Sequence, residues 1–308
     1  MTLPRRPRVK KRDLYFGLAE SSASKHLVMV GIPWDATSSY HYGAAAGPNA
    51  IRLAMDGSMY NRFTEEGDDL AVLWRVCDHG NIKLRSNRAN IPKLEKAIHS
   101  AVKRHNHEDA PTIFFGGDHF VTYPSFCVMS EIRSEQLALL YFDAHPDLYE
   151  AYDESPYSDA TVVSRILERK DTSSGIVCYV GIRASTGEQD KRIKSFGLTE
   201  FTARDVYDQG CEAISTSLKS TLSGKPVYIS IDMDCLDPAF APGVGIPQAG
   251  GLSTRQLFDI LHGIKGLEIV AADIVEYSPD CDPPPRRTAY AASILIKELM
   301  GIMARPAD

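Results

Sequence analysis

The sequence predicts an α/β fold in which helices cover both faces of a parallel sheet. One observation is a set of short apolar runs, rich in β-branched and aromatic residues, at 27–33, 71–77, 112–116, 137–143, 176–182, 227–233 and 268–275. A second is that amphipathic stretches lie between these runs, among them 92–105, 211–222 and 253–264. Alternation of this kind along the whole chain is typical of α/β proteins.

Each apolar run has the length and composition of a strand that is buried on both faces, as strands of parallel sheets are. The amphipathic stretches are typical of helices that pack one face on the sheet. The last of these stretches begins with Ser253-Thr254-Arg255-Gln256, which has the residue types and spacing of a capping box. We therefore predict that a helix starts at this point.

The chain of 308 residues has no internal repeat, low-complexity linker or break in composition. We therefore expect one large domain over 27–308, preceded by an N-terminal arm over 1–26. The arm contains a basic run at 5–12 that lacks helical periodicity. We interpret this run as a solvated tail rather than as a nucleic-acid-binding segment, because the chain as a whole is acidic.

Charge and hydropathy exclude several classes of protein. The chain has 34 Lys and Arg against 40 Asp and Glu, a net charge of −6, which argues against a protein that must neutralise nucleic-acid phosphates. No apolar run approaches the roughly 20 residues that span a bilayer, and the N-terminus lacks the apolar core of a secretory signal. We therefore expect a cytoplasmic protein without membrane contact.

The six cysteines are scattered without a CxxC pair, which predicts neither a zinc knuckle nor a disulfide framework.

Acidic residues and histidines follow four of the predicted strands. In chain order they are His119 within Gly-Gly-Asp-His, then Asp143, His145 and Asp147, then Asp232 and Asp234, and finally Glu276. Ligands of α/β proteins collect at the carboxyl ends of the strands, and residues two apart on an extended chain project to the same side. Carboxylates that converge there would repel each other unless a cation compensates them. The pattern therefore predicts a divalent metal site.

The first six of these residues offer two imidazole nitrogens and several carboxylate oxygens without a thiolate. Such a set suits Mn²⁺ or another first-row ion better than structural zinc. Six ligands are more than one ion needs when a position must stay open for water, so we predict two ions that activate water as a nucleophile. Each motif alone also fits a turn or a cap. Three such groups at the ends of three predicted strands favour the metal site.

These motifs resemble those of the ureohydrolase family, which includes arginases and agmatinases, and the likeness is nearer to the agmatinases. The resemblance rests on 116–119, 143–147 and Ser-Ile-Asp-Met-Asp-Cys-Leu-Asp-Pro-Ala-Phe-Ala-Pro-Gly at 230–243, and it covers about 27–304. Further similar segments are 31–35, 47–52 and 181–183. The resemblance implies a three-layer α/β/α fold with a mostly parallel central sheet. It also implies a binuclear manganese site, although Ni²⁺ remains an alternative.

The resemblance further implies hydrolysis of a guanidinium group to urea and an amine, and it suggests roles for individual residues. His119, Asp143, Asp147 and Asp234 are similar to the ligands of one ion or to bridging ligands, and His145 with Asp232 completes the cluster. Asp237 resembles a residue that steadies a metal-bound water or ligand, and Glu276 resembles the partner of the guanidinium. The alternatives are that Asp237 only starts a turn and that Glu276 is a solvated strand end. The family also forms trimers and hexamers, so we expect a homo-oligomer; a hetero-oligomer remains an alternative.

One position departs from the family pattern. A histidine usually follows the Asp-x-His-x-Asp motif by about a dozen residues, but here this stretch contains Asp159. The carboxylate of Asp159 could act as an acid or base if its pKa were raised, or it could bind a cationic group. Alternatively, Asp159 only caps a helix that begins near 160.

The loop over 148–159 gives the best indication of the substrate. It contains four acids, three tyrosines and no basic residue, so no cation is present to bind the α-carboxylate of an amino acid. We therefore expect a small cationic or neutral guanidine such as agmatine, with Tyr149 and Asp153 as further candidate contacts. His41 is the remaining histidine nearest to the expected border of this pocket.

Two other functions stay open. The protein could hydrolyse a different guanidine, such as guanidine itself, an N-alkylguanidine or a guanidino acid. It could also be a metal-retaining but non-catalytic subunit of a hetero-oligomer. The presence of all six candidate ligands argues against the second alternative, because buried carboxylates without a metal are destabilising.

Overall fold

The computed structural model describes residues 14–84, 90–105 and 110–304, so the basic run at 5–12 lies outside the described residues. The strands are β1 His26–Gly31, β2 Arg75–Asn81, β3 Thr112–Phe115, β4 Leu137–Phe142, β5 Ser173–Ile182, β6 Thr199–Thr202, β7 Val227–Asp232 and β8 Ile269–Val275. The α-helices are α1 Gly47–Ala54, α2 Leu70–Leu73, α3 Ile91–Val102, α4 Thr122–Arg133, α5 Val162–Glu168, α6 Gly187–Phe196, α7 Ala203–Gln209, α8 Cys211–Leu222, α9 Thr254–Gly263 and α10 Arg287–Met303.

The strands form one eight-stranded sheet in the order β2-β1-β3-β8-β7-β4-β5-β6. Every pair of neighbouring strands is parallel. The four central strands β3, β8, β7 and β4 are completely buried, as the continuous apolar runs predicted. Their carboxyl ends therefore lie side by side at one edge of the sheet.

The sheet separates two apolar cores, which confirms the three-layer prediction. Along β4, Leu140 and Phe142 face a core that is completed by helices α1 and α7 to α10. The alternate residues Leu139 and Tyr141 face the other core, which is completed by α3 to α6. Apolar side chains on both faces explain why the strands lack an alternation of polar and apolar residues.

Two elements differ from the sequence prediction. The run at 71–77 is not one strand, because α2 occupies Leu70–Leu73 and β2 begins only at Arg75. The side chain of Asp69 accepts a hydrogen bond from Ala71 N and caps this short helix. Strand β6 was missed because it is a half-buried edge strand with the sequence Thr-Glu-Phe-Thr, which has no apolar run.

The described part of the predicted N-terminal arm packs on the domain. Phe16 and Leu18 are buried in the core, and Tyr15 Oη donates a hydrogen bond of 2.7 Å to Asp78. The division into an arm over 1–26 and a domain over 27–308 stays a prediction. Among the described residues, we find no helix that is both long and apolar enough to cross a membrane.

Candidate active site

The predicted site residues meet at the carboxyl edge of the four central strands. His119 follows β3, Glu276 follows β8, Asp232 ends β7 and Asp143 follows β4. Since these strands are neighbours in the sheet, residues far apart in the sequence line one cavity of about 230 Å³. The cavity is lined by Ser39, His119, His145, Asp147, Tyr149, Tyr152, Asp159, Ala160, Ala184, Gln189, Asp232, Asp234, Ile246 and Glu276.

Three carboxylates surround the ring of His119. Its Nδ1 atom lies 3.0 Å from Asp143 Oδ2, 3.2 Å from Asp232 Oδ2 and 3.3 Å from Asp147 Oδ2. His119, Asp143 and Asp232 offer ligand atoms that lie within 4.8 Å of one another, which is close enough for one ion. This group contains an imidazole nitrogen and carboxylate oxygens, as the sequence predicted.

A second group forms around His145 and shares Asp143 with the first. His145 Nδ1 lies 3.0 Å from Asp234 Oδ2 and 3.5 Å from Asp143 Oδ1. Asp143 thus offers one oxygen to each group, as a bridging ligand would. The grouping differs from the one that the resemblance suggested, because Asp232 lies with His119 whereas Asp234 lies with His145.

Backbone amides orient the carboxylates of this cluster. Asp143 Oδ1 accepts from His145 N at 2.6 Å, Asp232 Oδ1 from Asp234 N at 2.6 Å, and Asp234 Oδ1 from Ala144 N at 3.1 Å. In each case one oxygen is fixed by the backbone while the other faces a histidine. For Asp143 and Asp232 the donor lies two residues further along the chain, so the spacing of two produces the orientation of these ligands as well as their proximity. Asp234 is oriented instead by the neighbouring motif, through Ala144.

His119 is held by residues that sequence reasoning missed. Its Nε2 atom lies 2.8 Å from Ser230 Oγ, and Ser230 in turn donates a hydrogen bond of 2.7 Å to Asp273. With the hydroxyl proton directed to Asp273, Nε2–H of His119 donates to Ser230 and the Nδ1 lone pair is left for a metal. The ring also stacks on Tyr141 at 4.5 Å.

Two sequence signals could have identified this support. Ser230 precedes Asp232 by two positions and so shares its side of strand β7. Asp273 is a charged residue in the middle of the apolar run of β8. It is completely buried and also accepts hydrogen bonds from Thr122 and Tyr228.

The electrostatics of the cluster fit divalent cations. Burial and repulsion by neighbouring carboxylates raise the pKa values of Asp147 and Asp232 well above the usual range. Although burial alone would lower the pKa of His119, its hydrogen bonds to Asp143 and Asp232 raise it. Asp143 Oδ2 is buried 3.0 Å from His119 Nδ1, and no backbone amide or hydroxyl of the described residues donates to it. A buried carboxylate oxygen whose neighbours are imidazole nitrogens and other carboxylates is what a metal ligand set requires.

Glu276 lies beside this cluster in a strained backbone conformation. Its φ of 60° is in the left-handed region, which a non-glycine residue seldom adopts. Its Oε1 atom accepts a hydrogen bond of 2.6 Å from His119 N, and its side chain lines the cavity. Burial, and next the charge of Asp232, raise the pKa of Glu276 well above the usual range. Glu276 is therefore not a solvated strand end.

Asp159 also lines the cavity, but it does not cap the following helix. Ser158 is the N-cap residue of the short 3₁₀ helix over 159–161 and forms a capping box with Thr161. Asp159 Oδ2 accepts from Ser39 N at 2.9 Å and from Ser39 Oγ at 3.0 Å. Its Oδ1 atom accepts from Ser158 Oγ and Ala160 N. Asp159 thus joins the cavity wall to the segment that contains Ser39.

The remaining predicted residues are divided between the cavity and its surroundings. Tyr149 lines the cavity, and its ring lies 5.7 Å from that of Tyr152. Asp153 is exposed in a turn with φ of 46° and is not among the lining residues. Asp237 is not a lining residue either.

The contacts of Asp237 are with the backbone of its own loop. Its carboxylate accepts from the amides of Ala239, Gly250 and Gly251 at 2.9, 2.8 and 3.3 Å. These hydrogen bonds, above all the one from Ala239, lower the pKa of Asp237. Asp237 therefore closes the loop over 237–251, as the turn interpretation anticipated, and this loop carries the cavity residue Ile246.

A shared His/Asp cluster at the carboxyl edge of a parallel sheet, with a further carboxylate beside it, defines the class of metal-dependent α/β hydrolases. The model of the arginase family matches residues 25–301. Arginase 1 of Oryza sativa subsp. indica, named as mitochondrial, is 36% identical over 303 residues, which cover 97% of this chain and 87% of the relative. The agmatinase of Chromobacterium violaceum is 34% identical over 279 residues, which cover 89% of this chain and 82% of the relative.

The solved structures agree with this assignment. Proclavaminate amidino hydrolase from Streptomyces clavuligerus has a TM-score of 0.84 at 27% identity, and the match covers 97% of this chain and 99% of that one. The chain belongs to the arginase family. It is therefore a hydrolase of the kind that acts on guanidino groups, and the resemblance to the ureohydrolases is confirmed.

Proposed function

We propose that this protein hydrolyses a linear guanidine without a carboxylate, agmatine or a similar compound, to urea and an amine. The composition of the cavity wall carries this proposal. Glu276 and Asp159 line the cavity in addition to the metal cluster, whereas no lysine or arginine is among the described lining residues. A substrate with a carboxylate would find no cationic partner there, but a guanidinium would be attracted by both acids.

Glu276 is the proposed partner of the guanidinium. Its carboxylate is planar, as the guanidinium is, and the two groups can form parallel hydrogen bonds. The hydrogen bond from His119 N fixes one oxygen of Glu276 and thereby orients the whole group. Burial is the main cause that raises the pKa of Glu276, because the charged carboxylate is poorly solvated in the cavity wall. A bound cation would compensate that charge, which favours a cationic substrate over a neutral one.

Two divalent ions, Mn²⁺ or alternatively Ni²⁺, are proposed for the cluster of His119, Asp143, His145, Asp147, Asp232 and Asp234. When bound, such ions would supply the Lewis acidity that activates water for attack on the guanidinium carbon. The protein residues hold the ligand atoms in place through the backbone amides and through Ser230.

Asp159 and Asp237 are proposed to act in different ways. Asp159 lies close enough to Glu276 for its charge to contribute to the raised pKa of that residue, so a cation between them would be stabilised by both. Asp237 is a positioning residue, because it reaches the cavity only through the loop that carries Ile246. Asp153 lies outside the cavity wall and could act only on the approach of a cation.

A second candidate substrate is an N-alkylguanidine with an uncharged tail. The paired rings of Tyr149 and Tyr152 favour it, because they offer apolar surface to the part of the substrate beyond the guanidinium. The same rings can also bind an ammonium group by cation–π attraction, as agmatine would require. A non-catalytic subunit is the less favoured alternative, since all six ligands converge.

The assembly and the compartment are expectations. We expect a homo-oligomer, a trimer or hexamer, and a cytoplasmic location, with a hetero-oligomer as the alternative. Light scattering of the purified protein and cell fractionation would test these two points.

Urea release from the purified protein tests the proposed function. The protein would be loaded with Mn²⁺ or with Ni²⁺ and supplied with agmatine, butylguanidine, guanidine, 3-guanidinopropionate and arginine at equal concentrations. We expect the highest kcat/KM with agmatine and the lowest with the two carboxylates. Preference for butylguanidine or guanidine would favour the second candidate, and preference for arginine would contradict the argument from the cavity wall. No urea from any compound with both metal sites filled would support the non-catalytic alternative.

A further inference from the structure

We propose that the thiol of Cys281 is a site of reversible modification by small disulfides such as oxidised glutathione, and that this modification lowers the activity of the neighbouring catalytic cavity. Cys281 is partly exposed, and its Sγ atom lies 3.3 Å from Nε2 of His41. An imidazole at this distance can accept the thiol proton as the sulfur attacks. Neither residue belongs to the metal cluster.

The surroundings of the pair offer a further polar contact. Ser278 is 1% exposed, and its Oγ atom has no hydrogen-bond partner among the described residues. A Cβ added to Gly43 would lie 2.5 Å from Ser278 Oγ and 3.5 Å from His41 Nε2, so these two polar atoms flank the same point. Gly43 has φ of 147°, and the absence of its side chain allows this close approach. This buried hydroxyl beside the imidazole would become available to a polar group attached to Cys281 when that group displaces His41.

Only one residue, Gly245, lies between His41 and Glu276, the proposed partner of the guanidinium. A Cβ added to Gly245 would lie 3.4 Å from His41 Cβ and 3.8 Å from Glu276 Oε2, so Gly245 is packed between these two side chains. Gly245 precedes Ile246, which lines the cavity. A group attached to Cys281 would displace His41 and, through it, this part of the cavity wall.

The segment over 37–43, which contains His41, also fixes two buried acids, the cavity residue Asp159 and Asp118. Thr37 N and Oγ1 donate to Asp118 at 2.9 and 2.7 Å, and Ser39 donates to Asp159 through both its amide and its hydroxyl. We name this segment the rim segment. Movement of the rim segment would release Asp159 from its present position in the cavity wall.

The modification step is a thiol–disulfide exchange. The S–H bond of Cys281 breaks and its proton passes to His41 Nε2, while Sγ forms a bond with one sulfur of the small disulfide. The S–S bond of that molecule breaks, and the second sulfur leaves as a thiolate that takes up a proton. The Cys281 sulfur is oxidised and the leaving sulfur is reduced, and excess small thiol reverses the exchange.

The chain contains a matched control for this proposal. Cys77 Sγ lies 3.2 Å from Nδ1 of His26, and Cys77 is also partly exposed. This second pair connects β1 and β2 at the end of the sheet, away from the cavity. Modification at Cys77 is therefore chemically similar but has no route to Glu276 or Asp159.

The experiment treats the metal-loaded full-length protein with oxidised glutathione and compares Cys281→Ser with Cys77→Ser. Peptide mass spectrometry measures which cysteine is modified, and metal analysis checks that both ions stay bound. Activity is followed with whichever guanidine the protein hydrolyses. We expect the wild type and Cys77→Ser to lose about tenfold or more in activity and to recover it with reduced glutathione, because small displacements of catalytic groups have effects of this size. Cys281→Ser should keep its activity throughout.

A readout that needs no substrate separates this proposal from the proposed function. Trp34 and Trp74 are the two tryptophans, and Trp34 Nε1 donates to Thr37 in the rim segment. Modification of Cys281 in Cys77→Ser should change the tryptophan fluorescence, through Trp34 and the rim segment. His41→Asn should slow the exchange at Cys281 but not at Cys77. An unmodified Cys281, or a modified Cys281 without a change in either activity or fluorescence, would overturn the proposal.

Discussion

Two groups of carboxylates lie in or near the cavity wall, and the partners of their oxygens differ. The first consists of the four aspartates of the metal cluster, Asp143, Asp147, Asp232 and Asp234. The second consists of Asp118 and Asp159, which are buried, and Asp35, which is partly exposed; we name these three the loop-held acids. In the metal cluster, each backbone-oriented carboxylate directs its second oxygen toward a histidine. In the loop-held acids, the oxygens accept hydrogen bonds mainly from amides and hydroxyls over 37–45.

This difference distinguishes carboxylates that are placed to bind a metal from carboxylates that stabilise the surrounding loops. A buried carboxylate that accepts several hydrogen bonds is stabilised without a cation, whereas one without donors requires a positive partner. Asp118 is intermediate, because Thr37 donates to its Oδ2 atom while no residue in the described part of the chain donates to its Oδ1 atom. Burial, with a contribution from Asp159, raises the pKa of Asp118 to about 8. Acidic residues near a site are therefore informative about metals only when their hydrogen-bond partners are known.

The largest effect is expected for Asp232→Asn in the metal cluster. Replacing one oxygen ligand should reduce the metal content below two ions per chain and lower kcat/KM by about a thousandfold, since several kcal/mol of transition-state stabilisation would be lost. Metal analysis by mass spectrometry and urea release measure both effects. Asp159→Asn is the matched control from the loop-held acids and should retain both ions. Full metal content in Asp232→Asn would contradict the assignment of this ligand.

Glu276→Gln tests the residue that lies between the two groups. The substitution keeps the shape of the side chain but removes the charge that would pair with the guanidinium. A charge-assisted contact contributes about 2–3 kcal/mol, so we expect turnover to fall by tens of fold or more. The metal content should not change. Turnover close to that of the wild type would show that Glu276 does not contact the substrate.

Ser230→Ala tests whether His119 is held for metal binding. Loss of the hydroxyl removes the connection between His119 Nε2 and Asp273, and such changes outside the ligand set cost about 10–100-fold in metal affinity. Competition with a chelator measures this affinity. Tyr228→Phe removes another hydrogen bond to Asp273 while keeping the hydroxyl of Ser230 that holds His119, and it serves as the control. Equal metal affinity in Ser230→Ala and the wild type would argue that ring packing on Tyr141 suffices.

The smallest effect is expected for Asp159, and it separates charge from hydrogen bonding. Asp159→Ala should lower kcat/KM by about tenfold and should also lower the melting temperature, because Ser39 loses its acceptor. Asp159→Asn can still accept a hydrogen bond, so we expect it to recover most of the stability but not the turnover. If Asn restores both quantities, the charge of Asp159 has no role in catalysis. The additional variant Asp159→His tests whether preference moves toward agmatine.

Much of the fold was predictable because the signals are local. The central strands are buried on both faces, so their apolar runs are continuous. Six of the predicted runs overlap the central strands or their neighbours, namely β1, β3, β4, β5, β7 and β8. Edge elements gave weaker signals: β6 is half-buried, and Leu70–Leu73 forms a helix although its residues are apolar. Apolar composition alone does not distinguish a short helix from a strand.

The positions of individual site residues were predictable to different degrees. His119, Glu276 and Tyr149 line the cavity as expected, since each lies at or soon after the end of a central strand. Asp153 and Asp237 are also acids near those motifs, but they lie outside the cavity wall. The sequence does not show the direction in which a loop residue projects, because loop backbones have no fixed period.

The sequence by itself determined three features of this protein. These are the residue types of the site, the alternation of strands and helices that indicates a parallel sheet, and the spacing of two residues that orients Asp143 and Asp232. These features depend on interactions within a few residues, which local patterns record. Only the tertiary structure decided which histidine shares which carboxylate, that Ser230 and Asp273 hold His119, and that Ser39 holds Asp159. Those contacts join residues that are distant in the sequence; Ser39 and Asp159, for example, are more than a hundred positions apart. They exist because the sheet order brings distant strand ends together, and no short stretch of sequence specifies that order.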